Sequence, residues 1–334
     1  MSGYQIDELA FDGHAALRLR APDGTQVMLA RRGATVLSIR VPGEQGMHEL
    51  ADSYVDGTDF DSLKGSRFAI MAPFANRIDK ARYRFGGKTY DMQPGVDEDK
   101  RAIRHGFVRD ALFELESTQA DAEQAKVVLR FDGIRPGAFD GYPFAIDLRV
   151  SFTLREGALS LSVDMHNTGE ESAPCFFGWH PYLRPGSTPV DSWVLTVPAE
   201  KGVRTDEALL PLPGEAAYVA LDDWPERDYR RGDVIGERHI DAGYVGLVSD
   251  AEGCVRSQLT DPASGRTITM WQHSGVALMF TGDTLSRDPR TSVAMEPMQS
   301  MTNAFNREDC VDEITLAAGA RHVYHCGLAW SGGQ

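Results

Sequence analysis

The sequence predicts an all-β chain, a large antiparallel β-sandwich, on three observations. Segment after segment alternates apolar and polar residues with period two, the strand signature. Glycine-rich turns separate many of these segments, and helical candidates are few and short. The 334 residues show no repeat, low-complexity tract or clear linker, so residues 1–334 are expected to form one domain.

In order along the chain, residues 16–20 and 36–40 open the series. Residues 82–85 and 89–92 flank Gly86-Gly87, which predicts a hairpin whose turn needs positive φ. Further strands are expected at residues 125–131, 145–154 and 159–163. Residues 185–225 are denser in Pro and Gly and read as loops with short strands. The alternation returns at residues 244–248, 255–260, 267–272, 276–281, 313–316 and 322–330. Helices are expected only near residues 57–63 and 303–308.

Hydrophobic residues make up 42% and charged residues 25%, ordinary for a chain that buries a sizeable core. Thirty-four Lys and Arg against 49 Asp and Glu give a net charge of −15. A field of that sign repels nucleic-acid backbones and anionic lipid, so neither is an expected partner, although a local basic pocket remains compatible with it. The N-terminus has neither a basic nor an apolar leader region, and no apolar run reaches bilayer length. The expectation is a cytoplasmic protein. Cys175, Cys254, Cys310 and Cys326 are scattered, with no C-x-x-C pair, and are expected to be reduced and mostly buried.

Two residues are candidates for chemistry because each precedes a proline inside an apolar run: His180 in Phe177-Gly178-Trp179-His180-Pro181-Tyr182, and Glu296 in Met295-Glu296-Pro297-Met298. Proline pushes the preceding residue towards extended backbone, so each side chain sits on a restricted main chain. An imidazole and a carboxylate are a natural general acid and general base. Other polar groups stand at expected strand exits: Asn76-Arg77 after an apolar run, His105 beside Gly106, and Asp241 before Gly243-Tyr244. Each of these also has a purely structural reading, as a strand end, a turn or a turn aspartate.

As a set, Asn76-Arg77, His105-Gly106, Gly178-Trp179-His180-Pro181-Tyr182, Asp241 and Glu296-Pro297-Met298 resemble the aldose 1-epimerase family, over about residues 18–330. The resemblance implies the family's antiparallel β-supersandwich and its reaction, exchange of the α and β anomers of a free aldose. It implies His180 as the group that protonates the ring oxygen and Glu296 as the group that removes the anomeric proton. Arg77, Asn76, His105 and Asp241 fall on sugar-binding positions, with Asp241 flanked by residues that match only loosely. The stretch around Glu296 looks closer to less well defined bacterial members than to galactose-specific ones.

The chemistry itself needs little. Opening the ring hemiacetal takes a proton from the anomeric hydroxyl and gives one to the ring oxygen, so an acid and a base on opposite sides of the ring suffice and no cofactor is expected. With ordinary pKa values of about 4.3 for glutamate and 6.5 for histidine, Glu296 starts ionised and His180 can carry the proton. Trp179, Tyr182 and Trp271 are candidate aromatic faces for the sugar.

Three other readings stay open. An anionic or phosphorylated hexose would need further cations, for which Arg67, Arg101, Arg104 and Arg109 are available. His105, His180 and Glu296 are also metal-ligand types, although the acid-base reading needs no metal. A non-catalytic carbohydrate binder is the third. The expected partner is a small sugar, and the chain is expected to be a monomer or homodimer.

Overall fold

In the strand Ala158–Asn167, Leu159, Leu161, Val163 and Met165 are buried while the residues between them are half-exposed. That alternation lets one face meet the core and the other meet solvent. A computed structural model, describing residues 3–44 and 46–332, shows the rule repeated throughout an all-β, antiparallel architecture.

Among the described residues there are two large sheets. The nine-stranded sheet runs Glu114–Ala120, Ala125–Ile134, Ile146–Arg155, Ala158–Asn167, Arg321–Ser331, Arg266–Gln272, Val255–Asp261, Val194–Thr196 and Asp233–Val234. An eight-stranded sheet carries the site, in the order Tyr218–Ala220, Ala199–Val203, Asp241–Leu247, Val276–Phe280, Val293–Met298, Gly178–Trp179 and Ile70–Met71. Its eighth strand, Tyr182–Leu183, pairs with Val293–Met298 beside that row. The first five strands form a separate meander from Gln5–Phe11 to Gly46–Glu49.

The two large sheets share one hydrophobic core, where Phe152 meets Trp179 (ring centroids 6.4 Å apart) and Tyr324 meets Phe177 (5.4 Å). Pro- and Gly-rich residues 185–225 hold short strands, as expected, and carry the chain across: Val194–Thr196 belongs to one large sheet and Ala199–Val203 to the other. The predicted hairpin is present, with Gly86 and Gly87 at φ of 55° and 76°.

The helix near residue 57 forms as Gly57–Ser62, its first turn capped by the Asp56 carboxylate, which accepts from the Asp59 N–H at 2.8 Å. Around residue 303 there are two single 3-10 turns, followed by the short helix Val311–Ile314. That helix takes the first half of a stretch expected as strand, leaving only Thr315–Leu316 extended. All four cysteines are free and buried. Among the described residues, no helix is long and apolar enough to cross a membrane.

Candidate active site

His180 follows the strand Gly178–Trp179, whose Gly178 lies between Met71 and Met298 on neighbouring strands. A side chain at Gly178 would stand 2.6 Å from the Ala75 methyl, so the close approach requires glycine. Trp179 turns into the core against Phe68 and Phe152. Its neighbour His180 takes the other side and faces a cavity of about 700 Å³. The His180 backbone is pinned twice: its carbonyl accepts from Phe68 N–H (2.8 Å) and its N–H donates to Ala69 (3.2 Å).

Glu296 comes from Val293–Met298, a strand with every residue buried. It stands opposite Leu278, and both line the cavity. The two candidate catalytic groups meet there: His180 Nε2 lies 3.3 Å from Glu296 Oε1, with the side chains 7% and 2% exposed. The second carboxyl oxygen, Glu296 Oε2, has no hydrogen-bond partner among the described residues.

The other predicted residues converge on the same cavity. Asn76 (φ 56°) is buried, and its side-chain oxygen accepts from Arg77 Nη1 at 2.8 Å, which aims the guanidinium. The Asn76 carbonyl also accepts from the His105 N–H (2.8 Å). His105 itself is left-handed (φ 61°), followed by Gly106 (φ 66°), where a Cβ would stand 2.0 Å from the Ala72 carbonyl oxygen. Only glycine fits there. The His105 ring packs edge-on to His180 (5.2 Å) with its Nδ1 against Met71 Sδ (2.8 Å). Asp241 is half-buried at the start of Asp241–Leu247, paired with Phe280, so it is a strand residue facing the cavity.

Of the three aromatic candidates, Tyr182 alone lines the cavity, stacked on His180 at 4.9 Å and 19°. Trp179 is consumed by the core, and Trp271 lies on the nine-stranded sheet against His273. Phe280, which the sequence did not single out, is a second aromatic wall. Also unforeseen were Lys64, Ser66 and the segment from Thr284 to Ser286. Leu63 and Ser66 have positive φ (49° and 52°) without being glycine, so no sequence signal marked that turn.

Burial dominates the electrostatics. It pushes the Glu296 carboxyl well above its ordinary value, helped by Asp241 and opposed by Arg77. It pushes the His180 imidazole down to about 3. His105 is driven the same way, by burial first and then by the charges of neighbouring His180, Arg109 and Arg77. Burial thus works against both an ionised glutamate and a proton-carrying histidine, because a dry cavity penalises both charges. The two groups are also side by side and not on opposite sides of a ring-sized gap. Among the described residues, no three His, Cys, Asp or Glu groups are arranged to hold a metal ion.

The profile of the family described as aldose 1-epimerase matches residues 15–329. An uncharacterized Escherichia coli K12 protein, YihR, is 25% identical over 76% of this chain and 75% of its own length. Mouse galactose mutarotase is 24% identical over 79% of this chain and 76% of its own. Among solved structures, a galactose mutarotase-like protein from Clostridium acetobutylicum superposes with a TM-score of 0.83 at 16% identity, over 99% of both chains. Galactose 1-epimerase from Lactobacillus acidophilus does so with 0.82 at 14%, over the whole of both. With a profile spanning nearly its full length and the fold to match, the chain belongs to the aldose 1-epimerase family.

Proposed function

We propose that the protein is an aldose 1-epimerase, an isomerase that exchanges the α and β anomers of an aldose by opening and closing its ring. The observation that carries this reading is the contact of His180 and Glu296, 3.3 Å apart and buried at one cavity. The anomeric hydroxyl and the ring oxygen sit on one carbon, so an adjacent pair can serve both.

Ring opening begins from carboxylate and imidazolium. The carboxylate of Glu296 takes the anomeric proton, C1=O forms, and the C1–O5 electron pair leaves to the ring oxygen, which receives the proton from His180. The pair ends uncharged, which is the state that burial favours. A raised carboxylate pKa means a stronger base, and a lowered imidazolium pKa a stronger acid, so the dry site drives the proton transfers in the opening direction. Rotation about C1–C2 and reversal of both transfers closes the ring on the other face. Arg77, which opposes the rise in the Glu296 pKa, helps to populate the charged form from which opening starts. A proton passes between the two groups across the 3.3 Å contact.

Arg77, held by Asn76, together with His105 and Asp241 binds the sugar hydroxyls, and Tyr182 and Phe280 cover its C–H face. No cofactor enters these steps. Exchange NMR on α- and β-glucose and galactose tests the reading: the protein should speed anomer exchange far beyond the uncatalysed rate. A panel of neutral and charged aldoses with no acceleration for any member refutes it.

A further inference from the structure

The cavity has a charge opposite to that of the protein around it. The chain carries −15, yet the cavity walls present Lys64, Arg77, Arg104 and Arg109 against only Asp241 and Glu296. Several arginines elsewhere are paired with carboxylates: Arg67 with Asp52, Arg101 with Asp91, Arg184 with Asp52, Arg290 with Asp191 and Asp283. The four cavity cations are not. Arg77 donates to the Asn76 amide and Arg109 to the Ser66 hydroxyl (2.9 Å). Among the described residues none of the four has a carboxylate within ion-pair reach.

This arrangement has an energetic cost. Arg77 and Arg104 are direct cross-strand neighbours, and like charges so placed repel. Lys64 and Arg104 are exposed at the mouth, whereas His180 and Glu296 lie buried at the floor. Ser66, Thr284 and Ser286 add neutral hydroxyl donors around the same opening. Four cations facing only two carboxylates, outside ion-pair distance of either, ringed by hydroxyls and lining a ligand-sized space, suit a bound oxyanion.

We infer that the substrate is an aldose bearing an oxyanion away from C1, at C6 in a hexopyranose, and that Arg104, Arg109 and Lys64 bind that group at the cavity mouth. Phosphate, sulfate and carboxylate share the recognised chemistry. The inference rests on the proposed anomer exchange for the reaction, but not for the binding.

The experiment compares glucose with glucose 6-phosphate, glucose 6-sulfate and glucuronate by exchange NMR, each rate corrected for its uncatalysed exchange. At least one charged sugar should exceed glucose in kcat/KM by 30-fold or more, on the order of two charge-assisted contacts. The advantage should shrink as salt is raised. Arg104→Gln and Lys64→Gln should each bring the charged-to-neutral ratio down several-fold. Which sugar leads identifies the oxyanion. Equal or better turnover of glucose overturns the inference, as does a ratio that both substitutions leave intact. Calorimetric binding to Glu296→Gln separates the two claims. If that variant binds glucose 6-phosphate no better than glucose, and the sulfate and glucuronate likewise, the oxyanion site is wrong. If the charged sugars bind but wild-type protein exchanges no anomers, the fault lies with the reaction.

Discussion

Two buried carboxylates in this molecule have opposite fates. Asp52 and Glu296 are 1% and 2% exposed, so burial raises the carboxyl pKa at both. Around Asp52, the Ser292 hydroxyl (2.6 Å), Arg67 and Arg184 (2.7 Å) outweigh that rise and hold its carboxyl below the ordinary range. Around Glu296 there is one neutral imidazole and one oxygen without a partner, and burial wins. A satisfied carboxylate is scaffold, whereas an unsatisfied one is held ready to exchange a proton. The two are connected, because Arg67 also lies 5.1 Å from the Tyr182 ring, which in turn stacks on His180.

Substitutions at the two sites should therefore fail in different ways. Glu296→Gln should lower turnover by about 10²–10⁴ with the fold intact, as loss of a general base does. Wild-type rates in a folded variant would break the contrast. Asp52→Asn should instead lower stability by ~3–5 kcal/mol, since it leaves Arg67 buried without its counter-charge. A denaturation midpoint equal to wild type would count against that role. Asp241→Ala removes a carboxylate proposed to bind sugar hydroxyls, so KM should rise roughly tenfold to a hundredfold while kcat moves less. Steady-state kinetics decide, and a fall in kcat alone would reassign the residue.

The smallest effect sharpens the comparison through pH. Burial keeps the folded-state pKa of Glu296 above its unfolded value of about 4.3. As pH rises past that value the unfolded chain releases this proton first, so wild-type stability falls until the raised folded pKa is passed. Glutamine has no such proton. Glu296→Gln should thus gain in melting temperature relative to wild type as pH climbs from about 4, and a difference constant with pH would show an ordinary carboxylate there.

Much of this was legible in the sequence, for identifiable reasons. Strands with one wet face, such as Ala158–Asn167, declare themselves by alternation. Val293–Met298, which bears Glu296, is buried on both faces and offers no period to read; its proline and its carboxylate marked it instead. All six candidate residues line one cavity, and three of them carried a backbone constraint readable in the sequence: proline after His180 and Glu296, glycine after His105. Protonation was not legible, since it depends on how completely the cavity is dried. The cationic mouth was only half visible. Of four arginines named for it, Arg104 and Arg109 line the cavity, while Arg67 and Arg101 are bound to Asp52 and Asp91, pairings set by tertiary structure.

The central claim is that His180 and Glu296 work as one proton-exchanging unit across their 3.3 Å contact. Anomer-exchange rates for His180→Asn, Glu296→Gln and the double variant measure this directly, because members of a unit lose their effect together. The account predicts a double variant no slower than the slower single one. Losses that multiply would mean the two groups act independently, and the pair would no longer explain the site.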